Sequence, residues 1–165
     1  MKLETPRLRV RDFRIGDAPA LYPILSDPEV MRYLEPPYTA EQTRAFIETA
    51  GLCDPPLVYA AEWKATGTLV GHVIFHAYEA DDCFELGWAL SRDFWGRGVA
   101  SELTEALLHE ARRLGIREAV LECDPEQTAT RRIAEKLGFA FAGDDDGLLV
   151  FRKNLTEAED GNSTL

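Results

Sequence analysis

Positive charge is scarce in this chain: 18 Lys and Arg stand against 29 Asp and Glu in 165 residues, a formal net charge of −11. That balance repels polyphosphates and anionic lipid, so neither nucleic acid nor a membrane surface is expected as a partner, whereas cationic ligands such as amines are favoured. Cysteine is sparse as well. Cys53, Cys83 and Cys123 form no CxxC and no Cys/His set of zinc spacing, and an odd trio completes no disulfide framework. A reduced, cytoplasmic setting without a metal is therefore expected. No apolar run reaches the about 18 residues of a membrane span, and residues 1–7 contain no apolar h-region, so neither a membrane-spanning nor an exported chain is expected. The sequons Asn154-Leu155-Thr156 and Asn162-Ser163-Thr164 then carry no meaning. Repeats and Gly/Ser or Pro linkers are missing too. With 45% hydrophobic residues, 1–153 is expected to be one domain that buries its own core, and 154–165, polar and aperiodic, a flexible tail.

What is present is a hydrophobic period that changes along the chain. Residues 8–13 alternate apolar and polar, as a half-buried strand does. Ala18, Leu21 and Leu25 after Asp17, and Ala45, Phe46 and Thr49 after Thr39 and Glu41, follow helical spacing on either side of the Glu35-Pro36-Pro37 break. Residues 57–64 and 69–76 read as a hairpin about Ala65-Thr66-Gly67, with a third strand over 84–90 reached through Glu79-Ala80-Asp81-Asp82. From Val99 the period lengthens, and Val99, Leu103, Ala106, Leu107, Ala111 and Leu114 make an amphipathic helix of about four turns that ends near Gly115. A strand over 119–123, a helix over 127–137 with Gly138 as its C′ residue, and a hairpin of 139–142 and 148–151 complete an α/β layering.

The segment Trp95-Gly96-Arg97-Gly98-Val99-Ala100-Ser101-Glu102 lies between the 84–90 strand and the long helix. Strand, glycine turn and helix together suit an anion. Glycines let the backbone approach a ligand without a Cβ in the way, and first-turn N–H groups lack intrahelical partners at the positive end of the helix dipole. A P-loop is excluded because no Lys-Ser/Thr follows the glycines, and a dinucleotide fold because GxGxxG and a preceding βαβ unit are absent. The plainer alternative, a tight loop with Arg97 and Glu102 as solvated helix-start residues, stays open on composition alone.

The run Glu85-Leu86-Gly87-Trp88-Ala89-Leu90, followed by Phe94-Trp95-Gly96-Arg97-Gly98-Val99-Ala100-Ser101-Glu102, resembles the acetyl-CoA signature of the GNAT N-acetyltransferases. Leu3-Glu4-Thr5-Pro6-Arg7-Leu8-Arg9-Val10-Arg11 and Arg132-Ile133-Ala134-Glu135-Lys136-Leu137-Gly138-Phe139 resemble the branch of ribosomal-protein N-terminal (Rim-type) acetyltransferases. The resemblance covers nearly all of 3–153 in order. It implies an α/β (α+β) GNAT fold whose mixed, mostly antiparallel central sheet splays open between the 84–90 and 119–123 strands, flanked by helices, with acetyl-CoA in the opening. The family's pyrophosphate loop maps onto Trp95, Gly96, Arg97, Gly98, Val99 and Ala100, with Trp95 where Gln or Arg is usual; Leu90 and Ser101 flank it. The Asn and Ser that meet the pantetheine arm in the family fall on Gln127 and Thr130. Arg131, with Arg132 and Lys136, would meet the nucleotide phosphates or be a solvated face. The Tyr that some relatives use as general acid aligns with Ala134, leaving that role vacant.

Acetyl transfer to an amine with an ordinary pKa near about 10.4 needs a group to take up its proton. In the 84–90 strand, Glu85 shares a face with Cys83, Gly87 and Ala89, small residues that leave room for a ligand, so Glu85 is the candidate base, acting directly or through water. Its alternative is a sheet carboxylate paired with a neighbouring Arg or Lys. A backbone N–H around Trp88 to Leu90 would meet the oxyanion. Lesser candidates are His72 and His76 on one strand face, Glu122 as a second carboxylate, and Cys123 as a covalent carrier, although nothing near Cys123 would depress its pKa. His109 reads as surface and Asp144-Asp145-Asp146 as a solvated turn. Tyr33, Tyr38 and Trp63 are expected in an acceptor wall with the first two helices. The reading is an N-acetyltransferase working by direct attack in a ternary complex on a primary amine, with a protein N-terminal amine or a small amine as acceptor, in a monomer or homodimer. A non-catalytic acyl-CoA sensor is the competing class.

Overall fold

The first five strands form one antiparallel array in chain order, and a single long helix takes the chain across to three more. The structure, a computed structural model, describes residues 1–156. Among these the strands are β1 (Lys2–Glu4), β2 (Leu8–Arg11), β3 (Val58–Trp63), β4 (Thr68–Tyr78), β5 (Ala80–Leu90), β6 (Glu118–Cys123), β7 (Ala140–Asp145) and β8 (Leu148–Asn154). The helices are α1 (Ala18–Leu25), α2 (Pro28–Met31), α3 (Ala40–Phe46), α4 (Val99–Arg113) and α5 (Thr128–Lys136). One sheet runs in the order β1-β2-β3-β4-β5-β6-β8-β7.

Neighbouring strands are antiparallel except β5 and β6, which are parallel because α4 crosses over between them. That pair meets at three positions, Cys83 with Glu118, Phe84 with Ala119 and Glu85 with Val120. Beyond Glu85, β5 runs on to Leu90 and β6 to Cys123 without pairing. The sheet is therefore not closed, as the fold reading expected.

Two cores flank the sheet. On one face Leu103, Leu107 and Ala111 of α4, all fully buried, pack with Val73, Phe75, Leu86 and Leu121. Each large apolar side chain so buried contributes roughly 1.5–3 kcal/mol. On the other face Leu21, Leu25 and Ile47 cover Val58, Ala60 and Ala89. Both long-period helices end as their glycines foretell. Gly115 and Gly138 have φ of 78° and 84°. The bonds Ile116 N to Ala111 O and Phe139 N to Ala134 O, both 2.9 Å, close the six-residue C-terminal motif over each.

Four local expectations change. The 79–82 connection shrinks to Glu79 alone, in the left-handed region at φ 63°, because Tyr78 already faces Ala80 across the turn. The second helix begins at Ala40, where Thr39 and Gln42 form a capping box, and passes at Ile47 into a π-helical turn that ends at Gly51. β1 and α2 are additional elements. The tail does not start at Asn154: β8 includes Asn154 opposite Glu118, and Leu155 is buried in the core, while 157–165 lie outside the described residues.

Candidate functional site

Where β5 and β6 part, a cavity of about 620 Å³ opens. Its floor is Trp88, Ala89 and Leu90 at the end of β5; one side is the turn and first residues of α4, another the start of α5, and the remaining side is α2.

The turn is built by two glycines. Gly96 and Gly98 have φ of 72° and 75°, which L side chains rarely adopt, and Gly98 is the residue from which α4 starts. Among the described residues, the N–H groups of Gly96 through Ser101 donate to no protein acceptor. These unpaired donors stand at the N-terminus of a 15-residue helix, and Gly96, Gly98, Val99, Ala100 and Ser101 line the cavity, an arrangement suited to an anion. Trp95 lies across the turn, with its indole Nε1 donating to Leu90 O at 2.9 Å. It thereby binds the turn to the end of β5.

Of the residues expected at the cofactor, Leu90, Trp95, Gly96, Gly98, Val99, Ala100, Ser101, Gln127 and Thr130 all line this cavity. Arg97 and Arg131 do not. The Arg97 guanidinium lies over the Phe94 ring, 5.3 Å from its centroid, and Arg131 donates to Pro125 O at 3.4 Å. Arg132 takes the place at the cavity wall instead. Gln127 accepts from Asp124 N through its side-chain oxygen at 2.8 Å, which leaves its amide NH₂ free.

Glu85 sits at the last paired position before the strands separate, three residues before the first floor residue, Trp88, and outside the cavity lining. Its Oε2 is 3.2 Å from His76 Nε2, directly across β4 and β5. That hydrogen bond raises the His76 pKa; burial opposes it, and a bond from Nδ1 to Ala77 O at 2.9 Å helps. The Arg or Lys envisaged as a partner for Glu85 is not among its contacts in the described residues; the group beside it is the His76 imidazole.

The other candidates fall away from the cavity. Glu122 accepts from the Tyr78 hydroxyl at 2.6 Å. Cys123 is buried and burial pushes its thiol pKa up, the opposite of what a nucleophile needs. The acidic run is a turn only at Asp146: Asp144 and Asp145 end β7, paired with Leu149 and Leu148, and Asp144 accepts from Gly147 N at 3.0 Å. Tyr33 does line the cavity, whereas Tyr38, edge-on to Phe46, and Trp63, tilted against Phe94, are half-buried against the two cores. The side of the cavity facing α4 is formed by Glu29 and Val30 of α2 and by Tyr33 and Leu34 just after it. Asp27 starts α2, accepting from Glu29 N at 3.0 Å and pairing with Arg92 at 2.6 Å, which ties that helix to the segment after β5. The Asp27-Pro28 pair, a capping residue before Pro, is the signal by which this helix could have been found.

His72 lies under Phe46, ring centroids 4.9 Å apart, with Nδ1 buried and unpartnered. Burial lowers its pKa from 6.5 to about 4, so the folded chain refuses a proton that the unfolded chain accepts between those values. Its contribution to stability is therefore complete at neutral pH and declines as pH falls below 6.5. Moving from about pH 7.5 to about pH 5 is expected to remove roughly 2 kcal/mol through this residue. Urea unfolding at both pH values checks it: His72→Phe should lose correspondingly less stability on acidification than the parent, and an equal loss would contradict the assignment.

The acetyltransferase (GNAT) domain family model matches residues 7–140. A Bacillus subtilis protein named "Uncharacterized N-acetyltransferase YnaD" is 28% identical over 145 residues, 87% of this chain and 85% of its own. The crystal structure of a GNAT-family acetyltransferase from Bacillus anthracis aligns with a TM-score of 0.87 at 26% identity, over 95% of this chain and 100% of that one. RimL, a ribosomal L7/L12 alpha-N-protein acetyltransferase solved with coenzyme A, shares the fold at a TM-score of 0.79 and 21% identity, over 93% of this chain and 98% of its own.

Proposed function

Because the chain belongs to the acetyltransferase (GNAT) domain family, whose members use acetyl-CoA, we propose that it moves the acetyl group onto a primary amine, a protein N-terminal amine first among acceptors, by direct attack in a ternary complex. One observation carries this reading: the gap between β5 and β6 and the cradle of free N–H groups open into the same cavity, so a diphosphate on the cradle and an acyl group at the strand ends fit one extended ligand.

The residues fit coenzyme A. Gly96 through Ser101 would hold its diphosphate, Arg132 a further phosphate, and Gln127 and Thr130 the amide-bearing arm, with the thioester supplying the activated acetyl group. Across the cavity, the Glu29 carboxylate and the half-exposed Leu34 offer a cationic amine and its apolar neighbour complementary surfaces. Glu85 takes the amine's proton through a water, since it lies outside the lining, and His76 orients it through the 3.2 Å contact. Cys123 plays no covalent part.

Incubation with acetyl-CoA and, separately, a peptide panel and a small-amine panel, followed by thiol titration and mass spectrometry, tests the proposal. Acetylated peptide N-termini support it; acetylated small amines alone move the acceptor, and CoA binding with no thiol released under either panel turns the protein into a sensor. Glu85→Gln is expected to lower kcat by about 100-fold while leaving CoA affinity within about twofold. An unchanged kcat would remove Glu85 from the mechanism.

A further inference from the structure

The opening motif, in which Thr5 and Arg7 lie some 90 residues before the glycine turn, plays no part in the mechanism above, yet it touches that turn directly. Arg7 Nη2 donates to Arg97 O at 2.8 Å, and Arg7 Nε donates to Glu102 Oε1 at 2.9 Å. The other Glu102 oxygen accepts from the Thr5 hydroxyl at 2.6 Å and from Arg7 N at 3.3 Å. Around them the β1–β2 turn is fastened to the end of β3, by Lys64 Nζ to Thr5 O at 3.0 Å and Lys64 N to Arg7 O at 2.9 Å. The Arg7 guanidinium also lies over the Trp63 ring, 5.5 Å from its centroid.

We infer that Arg7 is a positioning residue for the diphosphate cradle, which it holds in its ligand-ready form from behind. This rests on the acetyl-CoA reading above. Two physical effects are involved. The Arg97–Gly98 peptide is trans, so its carbonyl and its N–H point opposite ways; with the carbonyl fixed on Arg7, which lies outside the cavity lining, the Gly98 N–H is turned away from Arg7 and toward the cavity that Gly98 lines. A single peptide flip would replace that donor with a carbonyl. The second effect is charge. Glu102, in the first turn of α4, favours the helix but repels a diphosphate bound at the same end. Burial pushes the Glu102 pKa up, yet the bonds from Thr5 and Arg7 outweigh it and hold the group ionised below the ordinary carboxylate value. Arg7 neutralises this fixed anion, and its Nη2 lies 3.7 Å from where a Gly98 Cβ would be, so its own charge stands directly behind the cradle.

Calorimetry with CoA, and kinetics with acetyl-CoA against S-acetylpantetheine, which lacks the diphosphate, test the inference on the full chain. Arg7→Met is expected to raise the Kd for CoA and the KM for acetyl-CoA about 10- to 100-fold, with kcat within about twofold. With S-acetylpantetheine kcat/KM should move by less than about threefold, because that donor never uses the cradle. Adding Glu102→Gln to Arg7→Met should recover part of the lost affinity, since it removes the anion left bare. Arg7→Lys, which keeps the charge but cannot fork between Glu102 and Arg97 O, should lose affinity by about three- to tenfold, and serves if Arg7→Met fails to fold. Wild-type affinity in both Arg7 variants, or an equal loss with both donors, overturns the inference alone. No heat from CoA on the wild-type protein overturns the acetyl-CoA reading along with it.

Discussion

Gly98→Asp is expected to weaken CoA binding at least about 1,000-fold, to below detection in a calorimeter, while the chain still folds. Three effects act together. The residue's φ of 75° is open to aspartate at a cost of roughly 1 kcal/mol, and its Cβ would meet nothing closer than Arg7 Nη2 at 3.7 Å, so the fold accepts the change. The new carboxylate then leaves the backbone on the Arg7 side, directly behind the N–H groups that would receive the diphosphate, and sets a like charge a few ångströms from it. It also competes for Arg7, drawing the guanidinium off Arg97 O. Gly98→Ala separates strain from charge and should cost far less affinity. A folded Gly98→Asp protein that binds CoA with parental affinity would show that no anion is held at this turn.

Gly71→Val should leave the chain unfolded or insoluble near room temperature, a loss of more than about 4 kcal/mol. Gly71 lies in β4 opposite Leu90 with φ 150°, and a Cβ there would be 2.0 Å from Ala89 O and 3.0 Å from Leu90 Cα. Those are backbone atoms of a strand held by its ladder, so no side-chain rotation relieves the clash. The distortion would fall on Ala89 and Leu90, at the floor of the cavity. Circular dichroism and thermal melting check it: Gly71→Ala alone should lower Tm by more than about 10 °C, and a melt within a few degrees of the parent would mean that β4 and β5 yield more easily than their register implies.

The contrast between these two glycines shows what the sequence conveyed. Gly98 was legible because its neighbours announce it: a strand before, a long 3.6-period stripe after, and a second glycine two residues away. Gly71 has no such signal. It stands between Val70 and His72 in a mostly apolar strand, and its importance comes from the backbone of a strand 18 residues further on. The same divide runs through the fold. The stripe of α4 and the C′ glycine of α5 are local patterns and were read correctly, whereas β1 and α2, of three and four residues, are too short to show a period. At the site, the residues that share the loop could be listed from the motif. Long-range partners could not: Arg7 with Arg97 O, Asp27 with Arg92 and His76 with Glu85 are brought together by strand register and by the docking of α2. Arg131 and Arg132 are adjacent in sequence, and only the helix phase of α5 decides that the second faces the cavity.

The parallel seam of three paired positions has a mechanical consequence. A ligand wedged between the far ends of β5 and β6 ruptures no main-chain hydrogen bond of the ladder, because none joins them there. Widening the gap thus leaves intact the antiparallel rungs on either side of a short spine at Cys83, Phe84 and Glu85, and is opposed by the core that α4 packs against both Leu86 and Leu121. Acyl chains bulkier than acetyl would meet their resistance from that core and from the side chains lining the walls.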